Sequence, residues 1–354
     1  MVIRTEPIGS IPRRQRLIDA FRKFANGEIS KETLDSVFDA EVRSTIEEFE
    51  ATGSPVITDG EQSKHSFISY PIAGLDNLNP EGVTIPFADG HTRQIPTITS
   101  GPFRYRTYAS EYLEKATKYA HAPVKQAVIS ASALSLLYPQ DGIKNYSRDE
   151  FIEDLLRENE TDIRRSLEGG AYNVQIDFTE GRLAVKLDPS KGLLKQFVKL
   201  NNQVLSRFSA SDRKKIGIHT CPGGDQDSTH SADVDYVELL PHLFELAAGN
   251  FYIQLASEKD RVRVLKAIAQ YAKRDQKMFV GVINPIDSRI ETAEEVRDQV
   301  VTAANHIPLE RLGTTDDCGF SPFGDDTSTS REIAFQKIRA RILGTQMAAD
   351  KLSR

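Results

Sequence analysis

The stretch Ile216-Gly217-Ile218-His219-Thr220-Cys221 decides how the remaining sequence is to be read. It begins as a short β-rich apolar run and closes on two side chains that bind metals. Residues two apart on an extended strand point to the same face, so His219 and Cys221 share one side. Imidazole nitrogen and thiolate sulfur are the two ligands that zinc favours most. A strand that buries its body and presents both groups at its end is half of a candidate zinc site. The plainer reading makes Cys221 a small buried hydrophobe.

Outward from this run, β-rich segments alternate with helical patterns along the whole chain. Eight strand candidates can be read: Ile3 to Ile8, Pro55 to Thr58, Val124 to Ile129, Tyr172 to Asp177, Ile216 to Cys221, Phe251 to Leu255, Met278 to Ile283 and Leu312 to Thr315. Most are continuous apolar runs, the pattern of strands covered on both faces. Ser147 with Glu150, Thr292 with Glu295 and Thr329 with Glu332 have the spacing of capping boxes and predict three helix starts. The first of these helices should bury Phe151, Leu155, Ile163 and Leu167; the last should bury Ile333, Ile338, Ile342 and Met347. Eight strands with helical returns predict an α/β fold, a (β/α)8 TIM barrel, with a doubly wound open sheet as the alternative from pattern alone. Residues 62–121 break the rhythm with five prolines, Pro71, Pro80, Pro86, Pro96 and Pro102. They read as a long insertion after strand 2, a β-hairpin excursion over one barrel mouth. With no internal repeat or flexible linker, residues 1–354 read as one domain.

Composition narrows the function. The chain of 354 residues is 39% hydrophobic and 27% charged, an ordinary globular balance. Its 45 basic and 51 acidic residues leave a net charge of −6 without a Lys/Arg block, which argues against nucleic acid. No apolar run is long enough to span a membrane and the N-terminus has no signal-peptide stretch, so a cytoplasmic location is expected. Two cysteines in such a chain remain reduced.

Active sites of these barrels lie at the C-terminal ends of the strands. Those ends are polar here: Ile8-Gly9-Ser10, Asp59-Gly60-Glu61, Asp177, His219-Thr220-Cys221, Gln254 with Ser257, Asn284, and Asp316-Asp317-Cys318-Gly319. Cys318, at the end of the eighth strand, can supply a third ligand across the mouth. Asp225, Asp227 and His230, in the loop after Cys221, are candidates for a proton donor or a ligand-supporting partner; otherwise they satisfy loop backbone. Asp287 and Arg289 read as a loop salt bridge, and Arg13-Arg14-Gln15-Arg16 as the solvated head of a helix.

Five separated motifs, Ile8-Gly9-Ser10, Asp59-Gly60-Glu61, Val174-Gln175-Ile176-Asp177, Ile216 to Cys221 and Asp316-Asp317-Cys318-Gly319, resemble in content and order the catalytic barrel of the cobalamin-independent methionine synthase family. The resemblance runs over nearly the whole chain and is that of a stand-alone short member. It implies a zinc-dependent methyltransferase acting on the sulfur of a homocysteine-like thiol. By the same resemblance His219, Cys221 and Cys318 are zinc ligands, with Gln254 the nearest counterpart of the family's glutamate ligand. Failing Gln254, the fourth position falls to water, substrate sulfur or an acid such as Glu180 or Asp317. Ile8, Gly9 and Ser10 would hold the substrate carboxylate, and Glu61 and Asp177 its ammonium group. The family's methyl donor is a folate, yet the chain contains no Trp to stack on one.

Two other functions fit the same residues. A related zinc barrel could add a thiol such as coenzyme M to an epoxide, although paired carboxylates suit an ammonium better than a sulfonate. A non-catalytic zinc- or thiol-binding protein is the other. Partners are expected to be small molecules, with no nucleic acid and no membrane; homo-oligomer formation is left open.

Overall fold

The computed structural model describes residues 2–223 and 229–353. Among these residues the strands are β1 Arg4–Thr5, β2 Leu78–Pro86, β3 Thr92–Ile98, β4 Gln126–Ile129, β5 Val174–Asp177, β6 Ile216–Thr220, β7 Asn250–Ile253, β8 Lys277–Ile283 and β9 Leu312–Asp316. Strands of a parallel sheet are covered on both faces, and all residues of β4, β5, β6, β7 and β9 are buried, the polar ones included. Seven strands form one parallel sheet in the order β1-β9-β8-β7-β6-β5-β4.

The second expected strand, Pro55 to Thr58, is reduced to a single parallel bridge between Ile57 and Val124. Ile57 N–H donates to Pro123 C=O at 3.0 Å, and Lys125 N–H donates to Ile57 C=O at 2.8 Å. Pro55 has no N–H to donate, and the chain turns away at Gly60 and Glu61, both in the left-handed region at φ +67° and +57°. On its other side this segment meets the end of β1: Ile11 N–H donates to Gly60 C=O at 3.0 Å and Thr58 Oγ1 to Gly9 C=O at 2.8 Å. It therefore stands between the edge strands β1 and β4, at the second of eight positions in a (β/α)8 TIM-type barrel. β1 is shorter than the expected Ile3 to Ile8 because Pro7 cannot continue the ladder.

The helices start largely where the capping signals put them. Ser147 and Glu150 close a reciprocal box ahead of helix Arg148–Glu168, and Thr292 and Glu295 do the same for Ala293–Ala304. The last helix differs: its N-cap is Ser330, which accepts from Ile333 N–H, and not Thr329. Both residues can cap, but only Ser330 is three residues from a free helical N–H at the actual start. The buried face of Arg331–Leu352 is also rotated from the expected stripe. Of the four apolar residues named, only Ile338 is fully buried. Lys337 and Arg341 take the inner positions because each has an acid to meet there: Lys337 Nζ is 2.9 Å from Glu291, and Arg341 bonds Asp316 at the end of β9.

The insertion contains the antiparallel β2–β3 hairpin and helix Ala109–Thr117. The hairpin tip is tied to the loop after β6, with Ala88 N–H donating to Thr229 C=O at 2.7 Å. Phe87, beside the tip, packs its ring 6.2 Å from that of Phe323, which follows β9. Two strand-end loops thus hold the hairpin over the mouth.

Breaking a buried ion pair leaves a charge without a partner, at a cost of about 3–5 kcal/mol. Arg341→Met is therefore expected to lower the thermal unfolding midpoint by several degrees, and calorimetry of the two proteins checks this. An unchanged midpoint would show that the Arg341–Asp316 pair does not hold the last helix to β9.

Candidate metal centre

β6 and β9 are separated in the sheet by two strands, yet the curl of the barrel brings their ends together. Donor atoms of His219, Cys221 and Cys318 all lie within 4.8 Å of one another, and all three residues are buried. The two sulfurs are free thiols 2.7 Å apart. Neither ring nitrogen of His219 has a hydrogen-bond partner, an expensive state for a buried imidazole that a bound cation would relieve. Two soft sulfurs and a nitrogen form a donor set suited to zinc. These residues fit a metal ion.

Their electrostatics are coupled. Burial alone would raise the Cys221 thiol, but the hydrogen bond from Cys318 and the charge of His219 bring it well below its ordinary value. Cys318 moves the opposite way, raised by burial and by facing Cys221. Burial would lower His219, but the charges of Cys221 and Asp177 outweigh it and the net shift is upward.

Asp317 fixes the geometry. Its Oδ1 accepts from Leu255 and Ala256 N–H, each at 2.8 Å, and its Oδ2 from Ser257 N–H and Ser257 Oγ, each at 2.7 Å. A Cβ on Gly281 of β8 would come within 1.8 Å of Asp317 Oδ1, so only glycine leaves room for this carboxylate. Burial raises the Asp317 pKa to about 6, which still leaves it ionised at neutral pH. With both oxygens committed, Asp317 is a poor ligand candidate.

Gln254, expected as a ligand, has other partners in the structure. Its only ligating oxygen, Oε1, accepts from Arg182 at 2.8 Å, and its amide nitrogen donates to Ser257 Oγ at 2.6 Å. A guanidinium on that oxygen opposes a second cation. Glu180 is different: Oε1 accepts from Ser130 and Ser132, while the buried Oε2 has no partner. Burial raises its pKa to about 7.

One cavity reaches His219, Cys221 and Cys318 and is also lined by Ile8, Gly9, Ser10, Glu61, Asp177 and His230. Ser10 Oγ accepts from Ser321 N–H at 3.1 Å and packs where a Cβ on Gly319 would be, beside Cys318. Glu61 is already paired, its Oε1 accepting from buried Lys64 at 3.1 Å. Asp177 lies beside His219 in the β5–β6 ladder and accepts from Gln175 at 2.7 Å. Burial and then the neighbouring Glu61 raise Asp177 to about 7, against the charge of His219. Burial lowers His230 to about 4, leaving a neutral ring whose Nδ1 pairs with Ser231 Oγ at 2.9 Å. That makes it an acceptor or orienting group at neutral pH, not a charged acid. Asp225 and Asp227 lie outside the described residues.

Several framework residues carry no mark in the sequence. Arg13 is not a solvated head but a buried staple: it donates to Ser321 C=O at 2.8 Å, Phe323 C=O at 3.0 Å, Glu61 C=O at 2.7 Å and Lys64 C=O at 2.9 Å. Arg182 does the same for the far wall, bonding Gln254, Glu258 and Val234 C=O. Only long-range contacts reveal either. Asp287 and Arg289 do form the expected salt bridge, at 3.8 Å.

Cys221→Ser should remove most of the bound metal from protein purified without added zinc, whereas Gln254→Ala should retain the wild-type amount. Elemental analysis of the three proteins decides; a loss in Gln254→Ala instead would restore the amide as a ligand.

The family model described as the cobalamin-independent synthase, catalytic domain, matches residues 3–334. A methionine synthase of Sulfurisphaera tokodaii is 23% identical over 352 residues, covering 99% of this chain and 94% of that protein. One from Saccharolobus solfataricus is 22% identical over 353 residues, covering 99% and 96%. Among solved structures, a B12-independent methionine synthase from a Shewanella species, in complex with selenomethionine, superposes with a TM-score of 0.78 at 17% identity, covering 99% of each chain. A putative vitamin-B12 independent methionine synthase from Listeria monocytogenes gives 0.71 at 22% identity, covering 98% of this chain and 99% of that one. With the matched region spanning nearly its full length, this chain belongs to the cobalamin-independent methionine synthase family, as its catalytic domain.

Proposed function

We propose that residues 1–354 form a single catalytic barrel, with 62–121 as its insertion, that transfers a methyl group to the sulfur of a homocysteine-like thiol. The observation that carries this reading is the His219, Cys221 and Cys318 cluster lying in one cavity with Glu61 and Asp177. The methionine synthases among its relatives support it. Zinc is the cofactor proposed at the cluster, where it would convert an incoming thiol to the nucleophilic thiolate at neutral pH.

The chain's own residues do the rest. Glu61 and Asp177 put two carboxylates where a substrate ammonium can bind, and Lys64 offsets part of the repulsion between them when that cation is absent. The ammonium itself, seated between them, would draw Asp177 toward its ionised form. Ser10, with the Ile8-Gly9 backbone, is assigned the substrate carboxylate, and His230 the orientation of the thiol end. The β2–β3 hairpin covers part of the mouth, so a substrate seated beneath it would be shielded from water and its charge contacts strengthened. Carboxylates on this cavity also count against a sulfonated thiol as acceptor.

A charge-assisted hydrogen bond is worth about 1.5–3 kcal/mol, or roughly tenfold or more in binding. Asp177→Asn should raise the KM for homocysteine by about tenfold with metal content unchanged, as mass-spectrometric detection of methionine and elemental analysis report together. Metal loss in that variant would contradict the ammonium-binding role. Absence of methionine from wild-type protein with any methyl donor would leave a thiol-binding protein without turnover.

A further inference from the structure

The cavity that holds the cluster is mainly apolar beyond its floor. One wall is the hairpin, through Val83, Ile85 and Phe87; the facing wall is helix Glu180–Leu187 with its successor, through Leu183, Leu187 and Phe197. At the outer end Leu187 is 65% exposed and Val83 39% exposed, two large apolar side chains left in water at the rim. The ionised or ionisable acids on the lining are Glu61, Asp177 and Glu180, and no Lys or Arg lines it among the described residues. The sequence of residues 224–228, Gly-Asp-Gln-Asp-Ser, contains no cation either. The cations close to the lining are engaged with acids: Lys64 with Glu61 at 3.1 Å, Arg182 with Glu258 at 2.8 Å, Arg93 with Asp325 at 3.0 Å, Lys186 with Asp233 at 2.9 Å and Lys191 with Glu238. Lys195 is exposed and, two residues from Leu193 and Phe197, falls on the other face of their helix.

An anionic tail drawn into this space would lose water without meeting an unpaired cation and would face carboxylates, which is unfavourable. An apolar body would instead displace water from both walls, which is favourable in proportion to the area covered. We propose that this gallery seats the second substrate, and that the second substrate is an alkyl donor with an uncharged, apolar body, in place of an anionic, glutamate-tailed pterin. The inference rests on the methyl-transfer reading for the word donor, but the pocket's preference can be measured without turnover.

The test is equilibrium binding to the purified full-length protein. Methoxynaphthalene, a neutral aryl methyl ether, serves as the apolar probe and methyl-tetrahydrofolate triglutamate as the anionic one. The neutral probe should bind saturably, and Leu187→Glu and Leu183→Glu should each weaken it by about tenfold or more. Leu187 is exposed, so its replacement leaves the fold intact, as circular dichroism verifies. The folate should show no saturable binding at concentrations that saturate the neutral probe. Folate binding as tight as that of the probe, or probe binding indifferent to both leucine replacements, overturns the inference. The two readings fail separately: homocysteine methylation from the folate would sink the gallery assignment and leave the activity standing. Probe binding in a protein that methylates nothing would do the reverse.

Discussion

Asp317 ties three strand ends into one surface. Its carboxylate follows β9, occupies the space a side chain would need on Gly281 of β8, and accepts the Leu255, Ala256 and Ser257 amides beyond β7. In a flat sheet the ends of β6 and β9 would have two strands between them. Curl brings Cys318 within reach of Cys221, and this clamp fixes the last turn before it. A buried carboxylate holding three amides is a charged group whose desolvation is offset by directed hydrogen bonds. The cost of burial is still visible in its pKa, raised to about 6.

The same logic runs around the rim. Arg13 and Arg182 are buried guanidiniums that spend their donors on loop carbonyls and side-chain acceptors, holding the loops after β1, β6 and β9 in register. Charges of this kind add little net stability over an apolar core but make misplacement costly. The mouth is thereby rigid at its floor, where donor atoms must converge, and apolar higher up, where packing alone suffices. At the cluster itself both ring nitrogens of His219 are unsatisfied, and so is Glu180 Oε2 on the same cavity. Buried polar atoms left open on one cavity are what a bound cation or substrate would satisfy.

Much of this is legible in the sequence, for identifiable reasons. His219 and Cys221 can be assigned to one face because the strand period is two, and Cys318 to the same mouth because barrel strands all point one way. Largely apolar runs mark β4, β7 and β8 because those strands are covered on both sides, whereas β5, β6 and β9 carry polar residues toward their C-terminal ends. Legibility ends where a residue's role depends on a partner far along the chain. Gln254 has the right position for a ligand, but Arg182, 72 residues away, takes its oxygen. Arg13 sits in what reads as a surface charge run, and its partners near Ser321 are 308 residues distant. The last helix misleads for a similar cause: Asp316 of β9 and Glu291 of the loop after β8 draw Arg341 and Lys337 inward, rotating the buried face away from the apolar stripe.

Whether His219, Cys221 and Cys318 hold a single zinc ion at the strand ends through two thiolates and one imidazole is tested most directly by X-ray absorption at the zinc edge of the protein as purified. The expected coordination is two sulfurs at about 2.3 Å and a nitrogen at about 2.0 Å. A shell of oxygen and nitrogen alone, or one unchanged when Cys221 and Cys318 are both replaced by serine, would contradict it.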